Sequence, residues 1–348
     1  MGLFSSNTNS YLGIDIGSTS IKVVELKKAG SEAKLLTYGY SENINYDNLS
    51  KRNSTEDVKK TAKIISNIRK NADTVSHHAV SALPAYSVFQ SVISLADLNN
   101  QDVSSAINLE AKKIIPLPLE EMILDWKEIE ISQEKGTKKY LLTGAPKVLV
   151  KKYIDIFKEA QLNLISLETE TFSLIRSLIG NDKNSIMIVE IGANTTDMLI
   201  VDNRIPLLSH SIDLGGIAIT KAIADSLKIG FERAEQFKYD LGINSLDSED
   251  DIIPATIIET ISPIINELKY SINLFQSKNN KAVEKIILSG GSSLLRNLPN
   301  YLSKVLNIKV VVSSPWSRVS YPIDIKPVLA EIGPKMSVAV GLALRQIY

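Results

Sequence analysis

The stretch Gly13 to Glu25 constrains this chain more than any other, because Gly13-Ile14-Asp15-Ile16 and Ile21-Lys22-Val23-Val24 read as two strands joined by the turn Gly17-Ser18-Thr19-Ser20. Ile14 and Ile16 face one side of the hairpin, and Asp15 projects from the other at the end of its strand. Glycine lets the backbone approach a ligand closely, and three successive hydroxyl residues place backbone N–H groups and side-chain donors around an anion. A carboxylate beside a polyphosphate is tolerable when a cation or an ordered water lies between them. Asp15 next to this turn therefore suggests a nucleotide with Mg²⁺. Taken alone, the stretch fits an ordinary hairpin with a polar turn equally well.

A second stretch repeats the design. Ile186 to Val201 reads as an apolar strand, the acid Glu190, a turn of Gly192, Ala193, Asn194, Thr195 and Thr196, and a returning apolar strand. Two copies imply two related halves that face each other. Further on, Ile286-Ile287-Leu288-Ser289 ends in Gly290-Gly291 and Ser292, a double glycine placed to let a flat ring lie against backbone. Another double glycine, Gly215-Gly216, opens a helix expected from Ile217 to Leu227, where free N–H groups offer a further phosphate contact.

In this order the motifs resemble the first phosphate loop, second phosphate loop and adenosine loop of the actin, Hsp70 and sugar-kinase superfamily. Within it the chain is similar to the PilM family, actin-like ATP-binding proteins of type IV pilus assembly and relatives of FtsA. Gly13 to Glu25, Glu110 to Glu121, Thr171 to Arg176 and Met336 to Ala343 carry that likeness, which covers nearly the whole chain. It implies an α/β, actin-like ATPase fold of two duplicated ribonuclease H-like lobes with a small inserted α+β subdomain. The implied division is 10–85 for the core of lobe 1, 86–164 for the insertion, and 165–183 with 335–348 completing lobe 1. Lobe 2 takes 184–228 and 283–334 as its core and 229–282 as a helical subdomain. ATP and Mg²⁺ are the implied cofactors, with Asp15 and Glu190 toward the metal. The phosphates fall to Gly17 to Ser20, Lys22, Gly192 to Thr196, Gly215 and Gly216, the base to Gly290, Gly291 and Ser292, and the ribose to Glu235 and Lys238. Glu170 sits at the crossing between the halves, before a helix expected over Thr171 to Leu178, where it either orients an attacking water or serves as a helix-start acid favoured by the macrodipole.

The remaining elements follow from periodicity. Lys34 to Tyr40 reads as a third strand, and Val58 to Lys70 as a helix capped by the Ser54 to Asp57 region. His77 and His78 precede the strand Ala79 to Ala82 and point to opposite faces, as surface residues do. The insertion is expected to hold a strand over 87–94, a helix over 102–113, strands over 122–131 and 139–146, and a helix over 148–160. Pro116 and Pro118 stop its first helix; residue by residue this is a plain helix stop, while for the subdomain as a whole Ile114, Ile115, Leu117 and Leu119 offer a rigid apolar rim on which a partner peptide could dock. Helices are expected over Phe231 to Leu241, Ile252 to Gln276, up to Leu306, and Ser337 to Arg345, the last rich in small residues and fit to pack between the halves.

With 348 residues, 44% of them hydrophobic, the chain can bury two substantial cores. Basic and acidic residues balance at 39 each, so no bulk field favours nucleic acid or anionic lipid. Cysteine is absent and histidines number three, which excludes disulfides and thiolate metal sites. Met1 to Ser10 lacks the marks of a signal peptide and is expected to be a mobile tail, and no stretch approaches the roughly 18 apolar residues of a membrane span.

The resemblance thus implies a cytoplasmic ATP-binding scaffold or switch of a type IV pilus or related secretion platform, peripheral to the inner membrane. Its expected partners are the cytoplasmic tail of a PilN-like bitopic membrane protein and other platform proteins, with self-association possible. Glu190 stands where the superfamily's second phosphate loop usually carries aspartate. A displacement near 1 Å can cost about a hundredfold in rate, so hydrolysis is expected to be slow or absent while binding survives. The alternatives are an FtsA-like division protein, which would need an amphipathic membrane helix after the terminal packing helix, and a small-molecule kinase of the same fold. An Hsp70-like chaperone would need a further substrate domain. A Walker-type ATPase is excluded by the lack of a Gly-x-x-x-x-Gly-Lys-Ser/Thr loop.

Overall fold

The apolar faces of the two hairpins are buried on two separate sheets of the computed structural model, which describes residues 9–42, 54–96, 100–129, 136–243 and 252–348. In chain order the first elements are β1 (Ser10–Ile16), β2 (Ser20–Ala29), β3 (Glu32–Glu42), α1 (Thr55–Asn71) and β4 (His78–Leu83). Next come β5 (Phe89–Ala96), α2 (Asn100–Ile114), β6 (Met122–Ile129), β7 (Thr137–Pro146), α3 (Lys147–Glu159) and β8 (Asn163–Thr169). The short helix α4 (Glu170–Leu174) continues as a π-helical turn over Ile175–Ile179. The second half holds β9 (Ile186–Ile191), β10 (Thr196–Asp202), β11 (Ile205–Ile212), α5 (Gly216–Leu227), α6 (Phe231–Leu241) and α7 (Ile252–Asn279). It ends with β12 (Lys285–Ser289), α8 (Leu298–Leu306), β13 (Lys309–Val312), β14 (Val319–Ser320) and α9 (Lys326–Leu344).

The six-stranded sheet has the order β14-β3-β2-β1-β4-β8, and the five-stranded sheet the order β11-β10-β9-β12-β13. Each begins as an antiparallel meander and continues outward through parallel strands, β4 and β8 in the first and β12 and β13 in the second. The repeated hairpin is therefore the visible part of a repeated sheet design. A third sheet, β5-β7-β6, packs Ile93, Leu95, Tyr140 and Leu142 against Val103, Ile107 and Ala111 of α2.

On one face of the six-stranded sheet, Leu12, Ile14, Ile16, Ile21 and Val23 pack against α1 and α3. The Ser54 hydroxyl accepts from the Asp57 N–H while the Asp57 carboxylate accepts from the Ser54 N–H, a capping box that contributes about 1 kcal/mol to α1. On the other face Val24, Leu26 and Leu35 meet Met336, Ala339, Val340 and Ala343 of α9. Gly13 allows that crossing: a Cβ there would fall 2.0 Å from the Ala339 carbonyl oxygen. The next ridge of α9, Val338 and Leu342, joins a cluster containing Val80 and Ala82 of the first sheet and Ile186, Ile188 and Leu199 of the second. The small-residue helix does pack between the halves.

Several expectations change. α9 starts at Lys326 rather than Ser337, since the helix runs on through Pro334 in its interior. Run together, Ile323–Leu344 is long and apolar enough for a membrane span, with mean hydropathy 1.3, although the sequence reading finds no such stretch. Most of that segment is buried within the protein, where it works as a core helix. Tyr153, Ile156 and Phe157 of α3 pack on the six-stranded sheet rather than on the small one, so by packing the insertion ends at β7 and not at residue 164. Trp316 and Val319 likewise pack with α9 on the first sheet, outside the second lobe in which the sequence division places 283–334. Ile115 and Leu119 turn inward to the small sheet's core, which leaves Ile114 and Leu117 of the expected rim outward, 37% and 48% exposed. Ser10 is a buried residue of β1 and not part of a tail, while residues 1–8 of the expected tail lie outside the described residues. So do residues 130 and 131 of the expected strand 122–131. Both His77 and His78 are exposed, as expected.

Candidate functional site

The two hairpin turns close in the same way. The Gly17 N–H donates to the Ser20 carbonyl at 2.9 Å, and the Gly192 N–H donates to the Thr195 carbonyl at 2.9 Å. Antiparallel register sets Asp15 opposite Lys22 in the first hairpin and Glu190 opposite Asp197 in the second. Where the first hairpin answers its acid with an ammonium, the second answers with another acid.

Both turns open on one cavity of about 470 Å³, within the roughly 300–1,000 Å³ typical of small-ligand sites. Of the residues expected from the sequence, Asp15, Gly17, Ser18, Thr19, Ser20, Lys22, Glu170, Glu190, Gly192, Ala193, Thr195, Gly216, Glu235, Lys238, Gly290, Gly291 and Ser292 line it. Asn194, Thr196 and Gly215 lie outside the lining. Thr196 is fully buried and its hydroxyl donates to the Leu214 carbonyl at 2.6 Å. A Cβ on Gly215 would fall 2.7 Å from the Ala193 carbonyl, so this glycine serves packing of the second turn. The expectation of free N–H groups at the start of α5 also changes: Gly216 N–H donates to the Gly192 carbonyl and Ile217 N–H to the Ala193 carbonyl, both at 2.9 Å. Those donors hold the second turn in place.

Asp197, Tyr40, Glu42, Tyr86, Tyr239 and Lys335 also line the cavity, and sequence reasoning misses them. Asp197 was within reach, since the hairpin register puts it opposite Glu190; the others arrive from elements remote in sequence.

The floor of the cavity is rich in carboxylates. Asp15 accepts from the Lys22 ammonium at 3.0 Å. Burial pulls the Lys22 pKa down, but the pairing with Asp15 and the charges of Glu190 and Glu170 outweigh it and leave it raised. Burial, then Asp15 and Asp197, push the Glu190 carboxyl up to about 8 against the opposing pull of Lys22. Glu170 is raised well above the carboxylate range by burial and by Glu190, Asp197 and Asp15, although its carboxylate accepts the Ala85 N–H at 2.8 Å. Burial also raises Asp197 in spite of hydrogen bonds from Ser211 and, at 3.4 Å, from Thr195. Glu190 Oε2 is buried with no hydrogen-bond partner. Among the described residues of this floor, Asp15, Glu170, Glu190 and Asp197 share the Lys22 ammonium, and the floor is short of positive charge. A divalent cation fits that deficit. No three His, Asp or Glu side chains of the described residues converge as a ligand set, so a cation here would keep water and phosphate oxygens in its shell, as Mg²⁺ does.

Lys238 is buried and spends all three of its donors, on the Gly216 carbonyl at 3.2 Å, Thr220 Oγ1 at 2.9 Å and Glu235 Oε2 at 2.7 Å. Burial lowers its pKa against the pull of Glu235. Lys238 and Glu235 thereby clamp α6 to the first turn of α5. On the third loop, Gly290 has φ 80°, and a Cβ there would lie 2.4 Å from the Ile191 carbonyl. At Gly291 a Cβ would make only ordinary contacts, with Lys335 Cε at 3.7 Å and Tyr239 Oη at 3.8 Å.

Comparison with known proteins gives a consistent result. A family profile described as "Type IV pilus assembly protein PilM" matches residues 13–347. A solved structure titled "PilM-PilN type IV pilus biogenesis complex" superposes with TM-score 0.85 at 24% identity, covering 97% of this chain and 98% of that one. MreB5 of Spiroplasma citri bound to ADP superposes with TM-score 0.54 at 12% identity, covering 96% and 95%. Cell division protein FtsA of Bacillus subtilis is 22% identical over 89% of this chain and 80% of its own length. The fold is actin-like.

Proposed function

The chain belongs to the family of type IV pilus assembly protein PilM, and from that premise we propose that it is an ATP-binding, actin-like scaffold or switch of the pilus or a related secretion platform. It works at the cytoplasmic face of the inner membrane and holds the cytoplasmic tail of a PilN-like bitopic membrane protein. One observation carries the nucleotide part of this reading: two turns with identical closing bonds face one cavity whose Glu190 oxygen is buried and unpartnered.

The turns at Gly17 to Ser20 and Gly192 to Thr195 hold the phosphates with backbone and hydroxyl donors, and the Gly290-Gly291 loop receives the base. Mg²⁺ bound with ATP supplies the positive charge that Asp15, Glu170, Glu190 and Asp197 lack. Lys22, fixed by Asp15, presents its remaining donors to the cavity. Lys238 spends its donors on keeping α5, and with it the second turn, in place, while Glu235 lines the cavity and remains available to the ribose. Glu190 carries one methylene more than the aspartate expected at its position, so turnover is slow and the bound state outlasts it. That suits a switch better than a metabolic enzyme.

The PilN-like partner is supported by the complex named in the structural neighbour and by the outward side chains of Ile114 and Leu117. Thermal melting with MgATP, and with ATP plus a chelator, tests the nucleotide part. At a ligand concentration a hundred times Kd, stability rises by about 2.7 kcal/mol. A melting curve unmoved by millimolar MgATP refutes it.

A further inference from the structure

Glu42 and Lys335 belong to none of the three loops, yet both line the cavity. Glu42 ends β3 directly opposite Ser20, the last residue of the first turn. Lys335 follows Pro334 in α9, and the Pro334 carbonyl accepts the Gly290 N–H at 3.0 Å. Its backbone is therefore fixed to the Gly290-Gly291 loop of the second sheet. The aliphatic stem lies over that loop, and the ammonium donates to Glu42 Oε1 at 2.8 Å. The pair thus runs from the edge of the first turn to the loop on the other side of the cavity.

Its surroundings separate it from the other lysines of the lining. Lys22 is held at depth by Asp15, and Lys238 is buried with three acceptors. Lys335 and Glu42 keep side-chain exposures of 31% and 54%. An ion pair open to water contributes little to stability and exchanges readily with solvent ions. Held at the mouth of a cavity, such a pair acts on the rate of passage more than on the depth of binding.

We infer that the Glu42–Lys335 ion pair is a strut across the mouth of the cavity that sets how fast an anionic nucleotide enters and leaves. Parting the pair uncovers Lys335, the outermost ammonium of the lining, for the phosphate-bearing ligand, and swings aside the carboxylate that repels it. This rests on the nucleotide reading above and adds to it the residues that control exchange.

Stopped-flow fluorescence with a mant-labelled ATP and Mg²⁺ tests the strut in the full chain. Glu42→Gln keeps the size of the side chain and leaves Lys335 in place, so its effect is not that of a lost ligand contact. Dissociation from Glu42→Gln is expected to be about two- to fivefold faster than from the native chain, the range an exposed pair can supply. Added salt should speed exchange in the native chain and lose that effect in the variant, and the reversed pair Glu42→Lys with Lys335→Glu should slow dissociation again. Rates and salt dependence in Glu42→Gln equal to the native ones, with the nucleotide still bound, overturn the strut. Absence of binding by the native chain overturns the nucleotide reading itself, and the strut falls with it.

Discussion

Glu190→Gln isolates the cost of placing an ionisable group on the cavity floor. The native carboxyl has its ordinary value of 4.5 when unfolded and about 8 in the fold. Below pH 4.5 both states hold the proton and the group contributes no pH dependence. Between the two values the folded state keeps a proton that the unfolded state releases, so each pH unit lowers stability by about 1.4 kcal/mol. Above about 8 both states are ionised and the loss levels off. The full window is worth at most about 5 kcal/mol, less whatever cavity water recovers. Glutamine retains the shape, cannot ionise, and relieves the charge that also raises Glu170.

Urea unfolding at a series of pH values reads this directly. The two proteins should match near pH 5, and the variant should become the more stable by a few kcal/mol near pH 8.5, a shift of about one to two molar in midpoint. Parallel curves for the two proteins over that range would refute the claim that Glu190 is held protonated by its surroundings.

Gly291→Val should abolish MgATP binding while leaving the melting temperature within a few degrees, since its first side-chain atom meets nothing closer than 3.7 Å and the rest enters the cavity; retained affinity by calorimetry would show that the base lies elsewhere. Glu25 is fully buried and accepts from Ser10 Oγ at 2.8 Å and from the Val75 and Ser76 N–H groups at 2.9 Å. Glu25→Leu should therefore cost about 3 kcal/mol by stranding those donors, and Glu25→Gln about half as much, both read from denaturant midpoints. Ile114→Glu with Leu117→Glu should weaken binding of a PilN-like tail peptide at least tenfold in fluorescence anisotropy without changing the MgATP melting shift; unchanged peptide affinity would move the partner to another surface.

The hairpins, the double glycines and the helices were legible because each is written in a contiguous stretch, where turn chemistry and strand alternation act together. Even the π-helical turn began inside the helix expected from Thr171. What the sequence hid was fixed by neighbours far along the chain. The free-looking N–H groups at Gly216 and Ile217 are taken by a turn more than twenty residues earlier. Lys238 looks like a ligand contact until its three acceptors are seen. Proline ordinarily ends or kinks a helix, yet burial against two sheets carries α9 through Pro334, and its carbonyl, turned to the Gly290 N–H, becomes a fixing point for the third loop. Tyr40, Glu42 and Lys335 carry no local motif, and only the closed cavity brings them to the three loops.

The same helix dictates an order of assembly during synthesis. The largest core, from Met187 to Val310, is drawn from one continuous run and can close once that run has left the ribosome. The first sheet cannot: the face bearing Val24, Leu26 and Leu35 is covered by Trp316, by α9 and by Ile347 beyond it, all of which follow that run in the chain. The half made first is thus the half finished last. Its bare face stays open until α9 has been made, while apolar surface is prone to wrong contacts, and a chain cut short before Lys326 would leave it open permanently.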